Sequence, residues 1–168
     1  VRASGSARWT FGGRPVGIVD PGGPWVEMRA VAQWADGPLL AFEEYQIGNY
    51  SVGRGFDPGS ASGDNAYGAQ FEVGWPILKG KLGPSSMAEA TYMEPYAFYD
   101  IARVENEDLL GYTADISSAG IGFRMRLPFT VVLDFAIAQP LTEPFPGAEK
   151  PDLRFMGLIS VPFTLPFL

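Results

Sequence analysis

Ser117–Leu127, SSAGIGFRMRL, is the stretch from which the fold is read. Ala119, Ile121, Phe123, Met125 and Leu127 fall on one face of an extended chain. Ser118, Gly120, Gly122, Arg124 and Arg126 fall on the other. Successive side chains of a strand point to opposite faces, so this alternation describes a strand with one apolar and one polar face. Pro128 marks a tight turn, after which Phe129, Val131, Leu133, Phe135 and Ile137 oppose Thr130, Val132, Asp134, Ala136 and Ala138.

The same period recurs outward in both directions. Upstream, Tyr67, Ala69, Phe71, Val73 and Trp75 oppose Gly68, Gln70, Glu72 and Gly74, and Val26, Met28, Ala30, Ala32 and Trp34 alternate with Glu27, Arg29, Val31 and Gln33. Ala7, Trp9 and Phe11 share a face in the first run, and Leu153, Phe155, Ile159, Val161 and Phe163 in the last. Asp36-Gly37 carries a two-residue hairpin signal, which predicts Leu39–Gly48 as a returning strand. Met87–Ile101 reads as a longer strand with Tyr92, Glu94, Tyr96, Phe98 and Asp100 on one face. The whole describes about eight antiparallel strands and no helix, in one domain covering residues 1–168.

Composition narrows the chemistry. The 168 residues contain neither cysteine nor histidine, which argues against a disulfide scaffold, a thiol nucleophile, a histidine triad and the usual zinc sites. A formal charge of -7 disfavours a nucleic-acid partner. Gly 21 and Pro 15 disfavour long helices, and no apolar run reaches the length of a transmembrane helix. The carboxylates Glu43, Glu44, Asp57, Asp64, Asp108 and Asp152 lack calcium-loop spacing and read as solvated loop charges. Ser117-Ser118 has no nucleophile elbow. No enzyme, cofactor or metal is expected.

Two architectures fit such strands. In a soluble barrel or sandwich the apolar face points inward; in a membrane barrel it points to lipid and the polar face lines the lumen. The non-apolar faces carry Glu72, Arg124, Arg126 and Asp134 among glycines and alanines, as a wet inner wall would. The apolar rows end in aromatics such as Trp34, Trp75, Tyr112 and Phe129, in the manner of interfacial girdles. The connections near 13–25, 49–65, 102–112 and 140–152 are long, whereas 36–37 and 127–128 are minimal. Outer-membrane barrels have short periplasmic turns and longer outer loops. The parity predicts all the long loops outside and Leu168 on the periplasmic side.

The loop at 49–65 sits in Glu44–Glu72, EYQIGNYSVGRGFDPGSASGDNAYGAQFE. With Glu43, Tyr45, Ile47 and Gly48, then Val52-Gly53-Arg54-Gly55-Phe56 and Gly63-Asp64, it resembles the signature loop of two-partner secretion transporters of the hemolysin secretion/activation (TpsB) type. Pro95–Val104, with Phe98 and Asp100, is similar to that family's Phe-x-Asp strand, and Ser117 onward resembles the strands that follow. The resemblance runs from about Val26 to the end. It implies a bacterial outer-membrane pore that exports a partner exoprotein, embedded in outer-membrane lipid and inserted by the barrel-assembly machinery. It implies that the loop folds into the lumen and that Arg54 meets Asp100, with Gly55 and Phe56 in the same lock and Gly53, Gly63, Asp64 and Phe98 supporting it.

The resemblance implies a barrel of about sixteen strands, within the range of outer-membrane barrels, and with about eight strands the chain is expected to be the C-terminal half of one. Pro166-Phe167-Leu168 departs from the usual terminal phenylalanine. An insertase-type barrel of the same superfamily, and a small stand-alone barrel acting as an adhesin or anchor, remain as alternatives.

Overall fold

In a computed structural model the described residues are 1–11, 23–48, 52–81, 90–107, 111–127, 131–145 and 147–161. They form ten strands: β1 (Arg2–Thr10), β2 (Trp25–Gln33), β3 (Tyr45–Ile47), β4 (Ala61–Gly63), β5 (Asn65–Gly74), β6 (Leu78–Lys81), β7 (Ala90–Glu105), β8 (Thr113–Arg126), β9 (Val132–Pro140) and β10 (Arg154–Ser160). The main sheet is antiparallel throughout, in the order β1-β2-β5-β7-β8-β9-β10. β6 continues the β5 edge of β7, pairing Leu78–Lys81 with Met93–Ala90. β3 and β4 make a separate two-stranded ribbon. The sheet is not closed: among the described residues β1 pairs only with β2, and β10 only with β9. The protein is all-β, one wall of a barrel.

The alternation of the sequence becomes the two faces of this wall. On one side stand Met28, Phe71, Val73, Tyr99, Ile121, Phe135, Phe155 and Ile159, with Ile121 65% and Phe155 72% exposed. Contiguous large apolar side chains left uncovered across six strands need apolar surroundings. The opposite face is buried yet polar: Glu27, Gln33, Gln70, Glu72, Glu94, Asp100 and Ser118 are all buried there. A soluble sandwich would invert this distribution.

Two expectations from the sequence change. Leu39–Gly48 is not a strand of the sheet, and Asp36-Gly37 is not a barrel hairpin. The edge of β2 that such a hairpin would use is taken by β5, with Trp25–Gln33 paired against Gly74–Ala66. The donors that a returning strand would offer go to side chains instead: the Ala35 amide donates to Asn65 Oδ1 at 2.9 Å and the Leu39 amide to Asp64 Oδ1 at 2.6 Å. Residues 34–64 are therefore one long excursion from one end of the sheet, carrying β3 and β4.

Removing that strand shifts the parity of everything before it. The connections 34–64, 106–112 and 141–153 leave from one end, called here the loop end, where Gln33, Asn65, Glu105 and Pro140 lie. The β1–β2 connection leaves from the other end, beside Thr10 and Trp25, together with the β8–β9 turn. The β1–β2 connection thus leaves from the end opposite to the one the length parity predicts for it. Pro128, Phe129, Asp108 and Pro166–Leu168 lie outside the described residues.

Candidate functional site: a loop seated on the inner wall

The excursion folds back onto the polar face. Its apex is a turn closed by the Phe56 amide donating to the Gly53 carbonyl at 2.9 Å, with Arg54 and Gly55 between them. Gly53 has φ 96°, a conformation that side-chain-bearing residues avoid, and a Cβ there would collide with Ile116. Gly55 lies flat on the wall: its amide donates to Ser118 Oγ at 3.2 Å, and a Cβ would stand 2.7 Å from Ser118 Cβ and 3.0 Å from the Pro140 nitrogen. The two glycines flanking Arg54 have separate tasks, one making the turn and the other the close approach.

The seat is graded along the strands. Nearest the loop end, Ile47, Val52, Phe56 and Ala61 from the excursion pack on Ala66, Ala102, Val104, Ala114 and Ile116 of β5, β7 and β8. The wall side chains here are mostly small, which leaves room for Phe56 to be wholly buried. Burying a phenylalanine stabilises the seat by about 1.5–3 kcal/mol.

Deeper lies Arg54, 5% exposed. Its Nη2 donates to Asp100 Oδ1 at 2.6 Å and its Nε to Asp100 Oδ2 at 2.9 Å, a bidentate fork, while Nη1 donates to Glu72 Oε1. Asp100 Oδ2 also accepts the backbone amides of Arg54 at 2.9 Å and of Gly53 at 3.2 Å. Asp100 therefore reads the turn as well as the guanidinium. The guanidinium lies 3.7 Å from the centre of the Phe98 ring. Burial alone would lower the pKa of Arg54, but the hydrogen bond to Asp100 and the charges of Asp100 and Glu72 raise it above the ordinary guanidinium value. A raised folded-state pKa stabilises the charged lock at all pH below the ordinary value, so Arg54 itself gives the lock no pH dependence near neutrality.

Below the lock the charges continue. Arg124 meets Asp134 at 3.0 Å, Glu94 at 3.2 Å and Glu72 at 3.7 Å, and lies over the Tyr96 ring. Tyr96 donates to Asp134 at 2.6 Å and Trp25 donates from Nε1 to Glu94 at 2.8 Å. Arg8 lies 3.7 Å over Trp25 and reaches Glu27 and Glu94. Glu72 thus belongs both to the lock and to this network, and its Oε2 is buried without a hydrogen bond.

Asp64 is almost fully buried at the base of the loop, accepting the Leu39 amide on Oδ1 and the Glu107 amide on Oδ2 at 2.7 Å. Gly63 backs onto the Glu105 main chain. The structure therefore groups Gly53, Arg54, Gly55, Phe56, Phe98, Asp100 and Glu72 at one place, with Gly63 and Asp64 at the loop base and Arg124 and Asp134 in the adjoining network. Arg126 stands one inward position further along β8, opposite Tyr92. Ser118, Glu94, Tyr96, Trp25 and Arg154 were missed from the sequence as site residues. The inward parity of all but Trp25, which fell in the 13–25 connection, was visible, but the partner each one meets depends on the register. Among the described residues no group of three or more His, Cys, Asp or Glu is placed to hold a metal ion.

The chain finds no match among curated proteins or solved structures. The model of one family, the haemolysin secretion/activation protein ShlB/FhaC/HecB, matches residues 26–125. That span runs from β2 through the loop and β7 into β8, the elements that build the seat and the lock. The chain belongs to the ShlB/FhaC/HecB family of haemolysin secretion/activation proteins.

Proposed function

We propose that residues 1–168 are a single wall segment of an outer-membrane translocation pore that passes an unfolded partner exoprotein outward, and that the loop at 49–65 is its internal plug. The observation that carries this reading is the Arg54 fork on Asp100, buried on the polar face of a sheet whose other face is apolar. Family membership supports the secretion role. The apolar face takes outer-membrane lipid, and insertion falls to the barrel-assembly machinery. The loop end faces the cell exterior, since it carries the longest connection. Transport needs no bond-making chemistry from these residues: the lock holds the loop in the lumen, and the charged network below it offers a wet path that an extended polypeptide does not adhere to.

The test is Arg54→Ala in the full-length protein expressed with its exoprotein. Removing the cation leaves Asp100 and Glu72 buried without it, at a cost of about 3–5 kcal/mol to the seated loop. Exoprotein in the medium is expected to fall several-fold while the barrel still inserts. Wild-type secretion at equal barrel abundance would sink the proposal.

A further inference from the structure

The turn at Arg54 has a second attachment. Arg154, the first residue of β10, donates from Nη1 to the carbonyl of the buried Phe56 and meets Asp57 Oδ1 at 2.9 Å. Asp100, the other anchor, belongs to β7. β8 and β9 lie between the two strands, and Gly55 crosses them in contact with Ser118 and the Pro140 backbone. Three strand spacings are roughly 14 Å; the closed turn lies over β8 and β9, and the long side chains of Arg54 and Arg154 supply the reach to either side.

We infer that the loop tip is a strut tying β7 to β10, so that withdrawal of the loop and loosening of β10 are one event. β10 is short, and among the described residues its ladder runs to β9 alone, Arg154–Ser160 against Ala138–Val132. Among the described residues its leading end is held by that ladder and by the loop. Arg154 is a positioning residue for the strut: it supplies a charged donor to the carbonyl of the buried Phe56, and adds an ion pair at the exposed carboxylate of Asp57. When Arg54 leaves Asp100, the tip can no longer hold Arg154 across β8 and β9, and the strand edge gains freedom at the end where the loop enters.

The experiment uses the full-length barrel in membranes without any exoprotein, so its result is independent of whether the protein secretes. Ser118 is wholly buried beneath Gly55, and the sequence contains no cysteine, so Ser118→Cys reports loop withdrawal by thiol labelling. Amide exchange over Met156–Ser160 reports β10. Arg154→Gln is expected to raise both, on the order of tenfold for the loss of a charged hydrogen bond. Arg54→Gln, which does not touch β10, is expected to speed exchange over Met156–Ser160 as well, with β7 and β8 exchange unchanged. A merely local role for Arg154 does not produce that second effect. Wild-type exchange of β10 in Arg54→Gln overturns the inference, and so does continued protection of the introduced thiol when Arg154→Gln is combined with Ser118→Cys. If Arg154→Gln fails to assemble, Asp57→Asn takes its place; it should move both readouts the same way by a smaller factor, and no movement overturns the inference equally.

Discussion

Asp100 and Glu72 both face Arg54, but they are not equivalent partners. Asp100 is fully buried and accepts the two guanidinium bonds and two backbone amides, so its carboxylate defines the turn's geometry as well as its charge. Glu72 takes one bond from Arg54 on Oε1, while Oε2 faces Arg124 at 3.7 Å. Asp100→Ala strands a buried cation and two amides and is expected to cost the seated loop about 3–5 kcal/mol. Glu72→Gln keeps an acceptor for Arg54 and leaves the Asp100 fork intact, for a cost of about 1–2 kcal/mol. Thiol labelling at Ser118→Cys measures both; equal effects of the two substitutions would show that the lock reads net charge and not the fork. At this scale the sequence was informative about which residues to consider. The motif names Arg54 and Asp100, and inward parity names Glu72 and Arg124. What it could not supply is the division of labour, because the partners of each carboxylate are set by the register of three strands and a loop.

The strands themselves show how small residues make space for large ones. Phe98 and Tyr96 on β7 lie over Gly120 and Gly122 on β8, their direct register partners. A Cβ at either glycine would overlap the ring. This is the pairing in which an aromatic side chain covers the backbone of a glycine across a ladder, filling the gap the glycine leaves and pinning the register. Those rings in turn stack with Arg54 and Arg124. Gly122→Val is therefore expected to displace Tyr96, uncouple it from Asp134, and lower the midpoint of heat modifiability on gels by several degrees, roughly what 1–3 kcal/mol of overpacking does to a domain of this size. Gly5→Ala on β1, with open space around it, should leave the midpoint where it is.

At the scale of the molecule, the apolar face needs lipid and the polar face needs the loop. Ile121 points outward in the middle of the β8–β9 ladder, opposite Ile137. Ile121→Arg is expected to cost about 2–4 kcal/mol if that point lies at the bilayer midplane, read as loss of folded barrel from the membrane fraction. Unchanged abundance would mean that this face is covered by protein. The sequence by itself determined this sidedness, since a period of two and the chemistry of alternate residues are local properties that no neighbour can alter. It determined the all-β class and the presence of a long glycine-rich loop for the same reason. The tertiary structure decided which strand pairs with which. Asp36-Gly37 carries a hairpin signal that is locally sound, yet β5 takes the edge of β2 with a ladder of nine residue pairs, while the Leu39 amide is satisfied by Asp64 and Ile47 is buried against the inner wall. From that one choice follow the end at which each connection lies, the reach of Arg54 into the wall, and the meeting of Arg154 with the loop tip.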